Sequence, residues 1–146
     1  MRLTELGPSS LPLFLAYSVT SVRDMGSDLA EVVEWRRQIA AGNRVGPRIK
    51  TSGQIMESAS NIKRMIRQQT VEPAERIRTP LACPNDAAAA VRKLAIGGAD
   101  FIKVRTVPDE ATFRALAKAS KAEGLQLTGH PVASPAVLAE VGMASV

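Results

Sequence analysis

Histidine, cysteine and aromatic residues are nearly absent from this chain, and each shortage removes a class of explanation. Cys83 is the only cysteine. It excludes an internal disulfide and a cysteine-based zinc site. It also fits a reducing compartment, so the expected location is cytoplasmic. Aromatics make up 3% of the residues, so the core has to be built from Ala, Val, Leu and Ile. Nothing is available to interleave with basic side chains and stack on bases. Long hydrophobic runs are missing too. No segment approaches the ~20 apolar residues of a membrane span. The short run Leu11–Ala16 lacks the positive flank and cleavage site of a signal peptide. It reads as a buried helix end leading into the first strand.

What is present describes one folded domain. The 146 residues are 45% hydrophobic, enough for a single core. The net charge is +5, and much of the excess lies between Arg36 and Arg78, including Arg44, Arg48, Lys50, Lys63, Arg64, Arg67 and Arg76. Without a nucleic-acid motif this stretch reads as a solvated basic surface, so no nucleic-acid partner is expected.

Strand and helix patterns alternate along the chain. Val19–Asp24 is β-branched and ends before Gly26, as a strand should. Asp28–Ala41 follows as a helix, with Asp28 and Glu31 spaced as a capping box. Pro47–Ser52 is a second strand. The stretch from about 54 to 85 is the least regular and reads as an insertion within a single domain over 1–146, with a short helix around Ile62, Met65 and Ile66. Pro73, Pro80 and Pro84 break any long element there. Asp86–Ile96 is an Ala-rich helix closed by Gly97 and Gly98, and the strand Gly98–Val104 comes next. Pro108 suits the first position of another helix, with Asp109 and Glu110 in its first turn. That helix ends at Gly124, the strand through His130 follows, and Ser134–Pro135 opens a last helix. Met143–Val146 looks like the start of a further strand. Repeated units of this kind imply a parallel sheet with right-handed crossovers, whose strand C-termini share one edge.

Side chains alternate along a strand. Phe101, Lys103 and Arg105 therefore share one face, opposite Ile102 and Val104. Gln126, Thr128 and His130 share a face opposite Leu125 and Leu127. The aliphatic faces suit packing against helices, which turns Lys103 and His130 toward a common interior on neighbouring strands about 4.8 Å apart.

The chain resembles the metal-dependent amidohydrolase superfamily, its prolidase-like and imidazolonepropionase-like branches above all. The matching stretches are Ala16–Gly26, Gly46–Ile49 with Ser52–Gly53, Gly98–Val104, Gly124–Leu125 and Gly129–Pro131. They occur in family order across almost the whole chain. The resemblance implies an α/β fold, part of a (β/α)8 TIM-type barrel comprising about strands two to five plus the start of strand six. A complete barrel takes about 250 residues. It implies a hydrolase of C–N bonds, acting on an amide, a dipeptide or a cyclic amide through a metal-activated water. The divalent metal expected is zinc, one ion or two. Lys103 and His130 match metal ligands, the lysine as a carbamate formed with carbon dioxide and the histidine as neutral imidazole. No His-x-His pair precedes the Val19 strand, because His130 is the only histidine. Ser18 stands where glycine is usual. Asp24 ends the matching second strand and reads as structural. No residue matches the family's general acid/base. The expectation is a segment that is inactive by itself. The alternatives are a half-barrel that associates with a second copy or a complementary fragment, and a basic nucleic-acid-binding domain.

Overall fold

The computed structural model describes residues 1–68 and 74–145. Two short helices, α1 (Leu3–Leu6) and α2 (Leu11–Ala16), flank a 3-10 turn at Pro8–Ser10. Then come β1 (Ser21–Asp24), α3 (Leu29–Ala40), β2 (Arg48–Thr51), β3 (Ile55–Ser58), α4 (Ala59–Arg67), α5 (Ala74–Ile77) and β4 (Arg78–Leu81). The chain continues through α6 (Asp86–Ile96), β5 (Phe101–Val104), α7 (Glu110–Ala122), β6 (Gln126–Gly129) and α8 (Pro135–Glu140).

Every strand pairing is parallel, as alternating strand and helix require. β1 pairs with β2, and the other four strands lie in the order β4-β3-β5-β6. The Lys103 and His130 strands are neighbours, with Lys103 opposite Thr128. A bridge between Thr128 and Ser145 adds the start of a further parallel strand beside β6. Val146, the last residue of the expected strand, lies outside the described residues, as does the expected breaker Pro73.

The helices start where their caps dictate. The carboxylates of Asp28 and Asp109 and the hydroxyls of Ser58 and Ser134 accept the backbone N–H three residues on, satisfying one orphan donor each. Asp109 is thus the cap of α7, so Pro108 precedes the helix instead of opening it. The core has two parts. Met56, Leu81, Val91, Leu94, Ile102, Phe113 and Leu116 pack between the four-stranded sheet and α6 and α7. Leu11, Val22, Val32, Trp35 and Ile49 pack beneath β1 and β2.

Two more sequence expectations change. The stretch from 54 to 85, read as irregular, carries β3, α4, α5 and β4. β3 is four residues long and buried throughout, so it shows no alternation, and Pro80 sits in β4 at the outer end of the sheet order, where a missing N–H is tolerated. The run Leu11–Ala16 does form a helix, but only Leu11 in it is buried, with Leu13 59% and the following Tyr17 81% exposed. Leu11 enters the cluster under β1 and β2, Phe14 packs against it half-buried, and the rest of the helix stands on the rim. Ser18, in place of the usual glycine, adopts φ 63, a left-handed conformation that glycine takes without cost.

Candidate functional site

The C-terminal edge of the strands carries the polar side chains singled out above. Lys103 precedes the last residue of β5, and His130 follows β6 directly. The backbone fixes their separation. His130 N–H donates to the Val104 carbonyl at 3.0 Å. At Gly129 (φ 141) an added Cβ would stand 1.9 Å from that same oxygen, so only glycine lets β6 approach β5 this closely. Lys103 Nζ and His130 Nδ1 then meet at 3.1 Å. With the lysine as ammonium, Nζ donates to an unprotonated Nδ1, which puts the imidazole proton on Nε2.

The surroundings shift both groups toward their neutral forms. Burial, followed by the charges of Arg23 and Arg105, lowers the Lys103 pKa, and the side chain is only 9% exposed. Burial also lowers His130, and Lys103 and Arg105 add to the effect. The Val104 carbonyl and Glu57 pull His130 the other way. Arg23 reaches the site from β1, with its guanidinium 4.4 Å from the Phe101 ring centroid. That contact links β1 to β5 across the two sheets.

Lys103 and His130 open into a cleft of about 630 Å³, also lined by Arg2, Arg64, Arg78 and Arg105. Beside it lies Glu57, near the end of β3 and fully buried. Its Oε1 accepts from Asn61 Nδ2 and Thr106 Oγ1, both at 2.6 Å. Its Oε2 accepts from Arg78 and, at 3.5 Å, from Arg105. Burial lowers the pKa of Arg78 while Glu57 holds it up. Neither Glu57 nor Arg78 was singled out from the sequence. The available signal was Ser58, a helix cap directly after Ile55–Glu57, which marks a strand end carrying a carboxylate.

Asp24 has the structural role expected of it. It is fully buried at the end of β1 and accepts from Leu3 N–H at 2.9 Å, Ser27 Oγ at 2.6 Å and Thr51 Oγ1 at 2.6 Å. The basic stretch is partly absorbed by internal pairs. Arg36 and Lys50 both bind Asp100, and Arg76 binds Asp28 and Glu31.

As they stand, these residues match a divalent ion only in part. Lys103 and His130 supply two donors. Among the described residues no group of three His, Cys, Asp or Glu side chains could hold a metal. Both acceptor oxygens of the nearby Glu57 are engaged. No helix among the described residues is long and apolar enough to cross a membrane.

No family model matches the sequence, and no curated protein matches it. Solved structures do. A putative prolidase from Bifidobacterium longum superposes with a TM-score of 0.59 at 25% identity, over 84% of this chain and 30% of that one. The A. niger ochratoxinase gives 0.70 at 16% identity, over 93% of this chain and 37% of that one. Phenylurea hydrolase B gives 0.68 at 19% identity, over 94% of this chain and 38% of that one. The chain therefore spans about a third of the length of these structures. The resemblance to amidohydrolases and prolidases read from the sequence holds in the fold.

Proposed function

We propose that this chain is a segment of a metal-dependent C–N bond hydrolase, corresponding to about strands two to five and the opening of strand six of a (β/α)8 barrel. The observation that carries the reading is the 3.1 Å approach of Lys103 Nζ to His130 Nδ1 at the C-terminal strand edge, where barrel enzymes keep their active sites. Names such as prolidase and phenylurea hydrolase among the similar structures support amide-like substrates, a small amide or dipeptide.

In this reading Lys103 and His130 are two ligands of a divalent ion, zinc by preference, and the remaining ligands come from outside the described residues. When bound, such an ion lowers the pKa of its water toward ~7 and polarises a carbonyl. The part played by this chain is to present a carbamate on Lys103 and the neutral imidazole of His130. Burial and the neighbouring arginines favour the free amine of Lys103, the form that adds carbon dioxide, releases a proton and becomes an anionic carbamate. An ammonium cannot ligate a cation, whereas a carbamate offers two oxygens. Burial and the charge of Arg105 shift His130 toward neutral imidazole, the ligating form.

The test is metal stoichiometry of the purified chain with zinc and bicarbonate, beside Lys103→Ala and His130→Ala. Weak uptake that both substitutions abolish is expected. Equal zinc in all three proteins would sink the proposed ligands.

A second reading, association with another copy or a complementary fragment, draws support from the exposed apolar side chains Leu6, Leu13 and Tyr17 on the N-terminal segment. Light scattering that gave a monomer at every concentration would count against self-association.

A further inference from the structure

The cleft around Lys103 and His130 is more strongly positive than a cation site should be. Arg2, Arg64, Arg78 and Arg105 line it together with those two residues. The carboxylate of Glu57 serves both Arg78 and Arg105, and Arg2 pairs with Glu5. Arg64 leans on the neutral amide oxygen of Asn61 at 2.6 Å, and it has no carboxylate partner among the described residues. Four arginines thus share one concavity with only the carboxylates of Glu57 and Glu5 to meet them, an arrangement that concentrates anions.

A second observation points the same way. Arg78 is 6% exposed, and its Nε–H is buried with no hydrogen-bond partner. A buried donor left unmet is costly, and the guanidinium that carries it lines this cleft and a second one beside Ile62 and Lys93, short of acceptors with Glu57 as its one carboxylate. Guanidinium groups bind carboxylate and phosphate through paired N–H donors.

We propose that this cleft binds a small oxyanion, a carboxylate or a phosphate group, between Arg64, Arg78 and Arg105. The site is distinct in its residues from the metal reading, which depends on Lys103 and His130. It would take an anionic group whether or not a metal sits beside it.

The experiment is calorimetric titration of the full chain with inorganic phosphate and, separately, with acetate. Arg64→Gln and Arg105→Gln are the test variants, because Arg64 is exposed and the Arg105 side chain is 40% exposed, so neither is needed for the core. Arg92→Gln on the exposed side of α6 is the control for an equal loss of charge. Saturable phosphate binding is expected, weakened about tenfold by each test substitution, as loss of a charge-assisted hydrogen bond requires, and unchanged by Arg92→Gln. Acetate binding that follows the same pattern identifies a carboxylate as the ligand, and phosphate binding alone identifies a phosphoryl group. No saturable binding of either anion, equal affinity in the test variants, or equal weakening by Arg92→Gln overturns the proposal. His130→Ala separates the two readings, since it should lose zinc yet keep phosphate affinity within about twofold.

Discussion

Gly129→Ala tests whether the approach of β6 to β5 depends on glycine. The new methyl would lie 1.9 Å from the Val104 oxygen and 2.8 Å from its carbon. Ordinary contact begins near 3.4 Å, so β6 must withdraw by roughly 1.5 Å at that point. Withdrawal breaks the bond from His130 N–H to Val104 O, worth about 0.5–1.5 kcal/mol. Forcing a Cβ onto φ 141 adds about 1–3 kcal/mol, and crowding adds about 1–3 kcal/mol more. The expected loss is about 5 kcal/mol, which at a urea m-value of about 2 kcal/mol/M lowers the unfolding midpoint by about 2.5 M. Gly124→Ala is the control. Its φ is 69, and nothing lies within 4 Å of an added Cβ, so it meets only the conformational cost, about 1–2 kcal/mol. The assay is urea unfolding of both variants beside the parent. A Gly129→Ala protein no less stable than Gly124→Ala would refute the reasoning, because Gly124→Ala carries the conformational cost without the crowding or the broken hydrogen bond.

Two more outcomes follow from buried and capping carboxylates. Glu57→Ala leaves Arg78 buried without its counter-charge, so stability should fall by about 3–5 kcal/mol in the same urea assay, and a change under about 1 kcal/mol would show the ion pair to be dispensable. Asp109 caps α7, and the Thr112 backbone N–H, then its side chain, lower the Asp109 pKa below the usual 3.8. Because the folded value is the lower one, its contribution is complete above the unfolded pKa and disappears as pH falls through the folded value. The melting-temperature gap between the parent and Asp109→Asn should therefore be open at pH 6 and close below pH 3.8, and a gap that stays constant across that range would rule out the linkage.

The two strands of the candidate site were legible for local reasons. Gly98 and Gly124 stop the preceding helices, the aliphatic residues alternate with polar ones, and each unit repeats the same order of cap, helix, glycine and strand. Parity alone then turned Lys103 and His130 to one side, and their contact at 3.1 Å follows from it. β3 and β4 were not legible, for equally local reasons. Four buried residues in a row give no period, a charged residue in the middle reads as surface, and Pro80 reads as a breaker although an outer strand tolerates it. The helix Leu11–Ala16 shows the opposite error. Apolar composition was taken for burial, yet a six-residue helix on the rim buries only Leu11 fully and Phe14 in part, and leaves the others exposed.

The buried carboxylates explain why the rest of the site could not be read. Only Ser52, Gly53 and Gln54 separate β2 from β3, yet β2 pairs with β1 while β3 pairs with β4 and β5. The chain thus passes from one sheet to the next through Gly53, whose φ is 62 and whose added Cβ would meet Leu29 at 3.0 Å. Each sheet then has one fully buried carboxylate near a strand end. Asp24 ties β1 to β2, the N-terminal helix and the turn after β1. Glu57 ties β3 to β4, to α4 and to Arg105 and Thr106 just past β5. The Glu57 partners lie 4, 21, 48 and 49 residues away in sequence, so no local pattern announces them. Both of its oxygens are committed to this cross-link, and redirecting one toward a cation would strand the buried guanidinium of Arg78. The negative charge that a metal beside Lys103 and His130 needs must then come from a carbamate on Lys103 or from donors outside the described residues. The arginines that Glu57 only half neutralises are left to draw an anion into the same cleft.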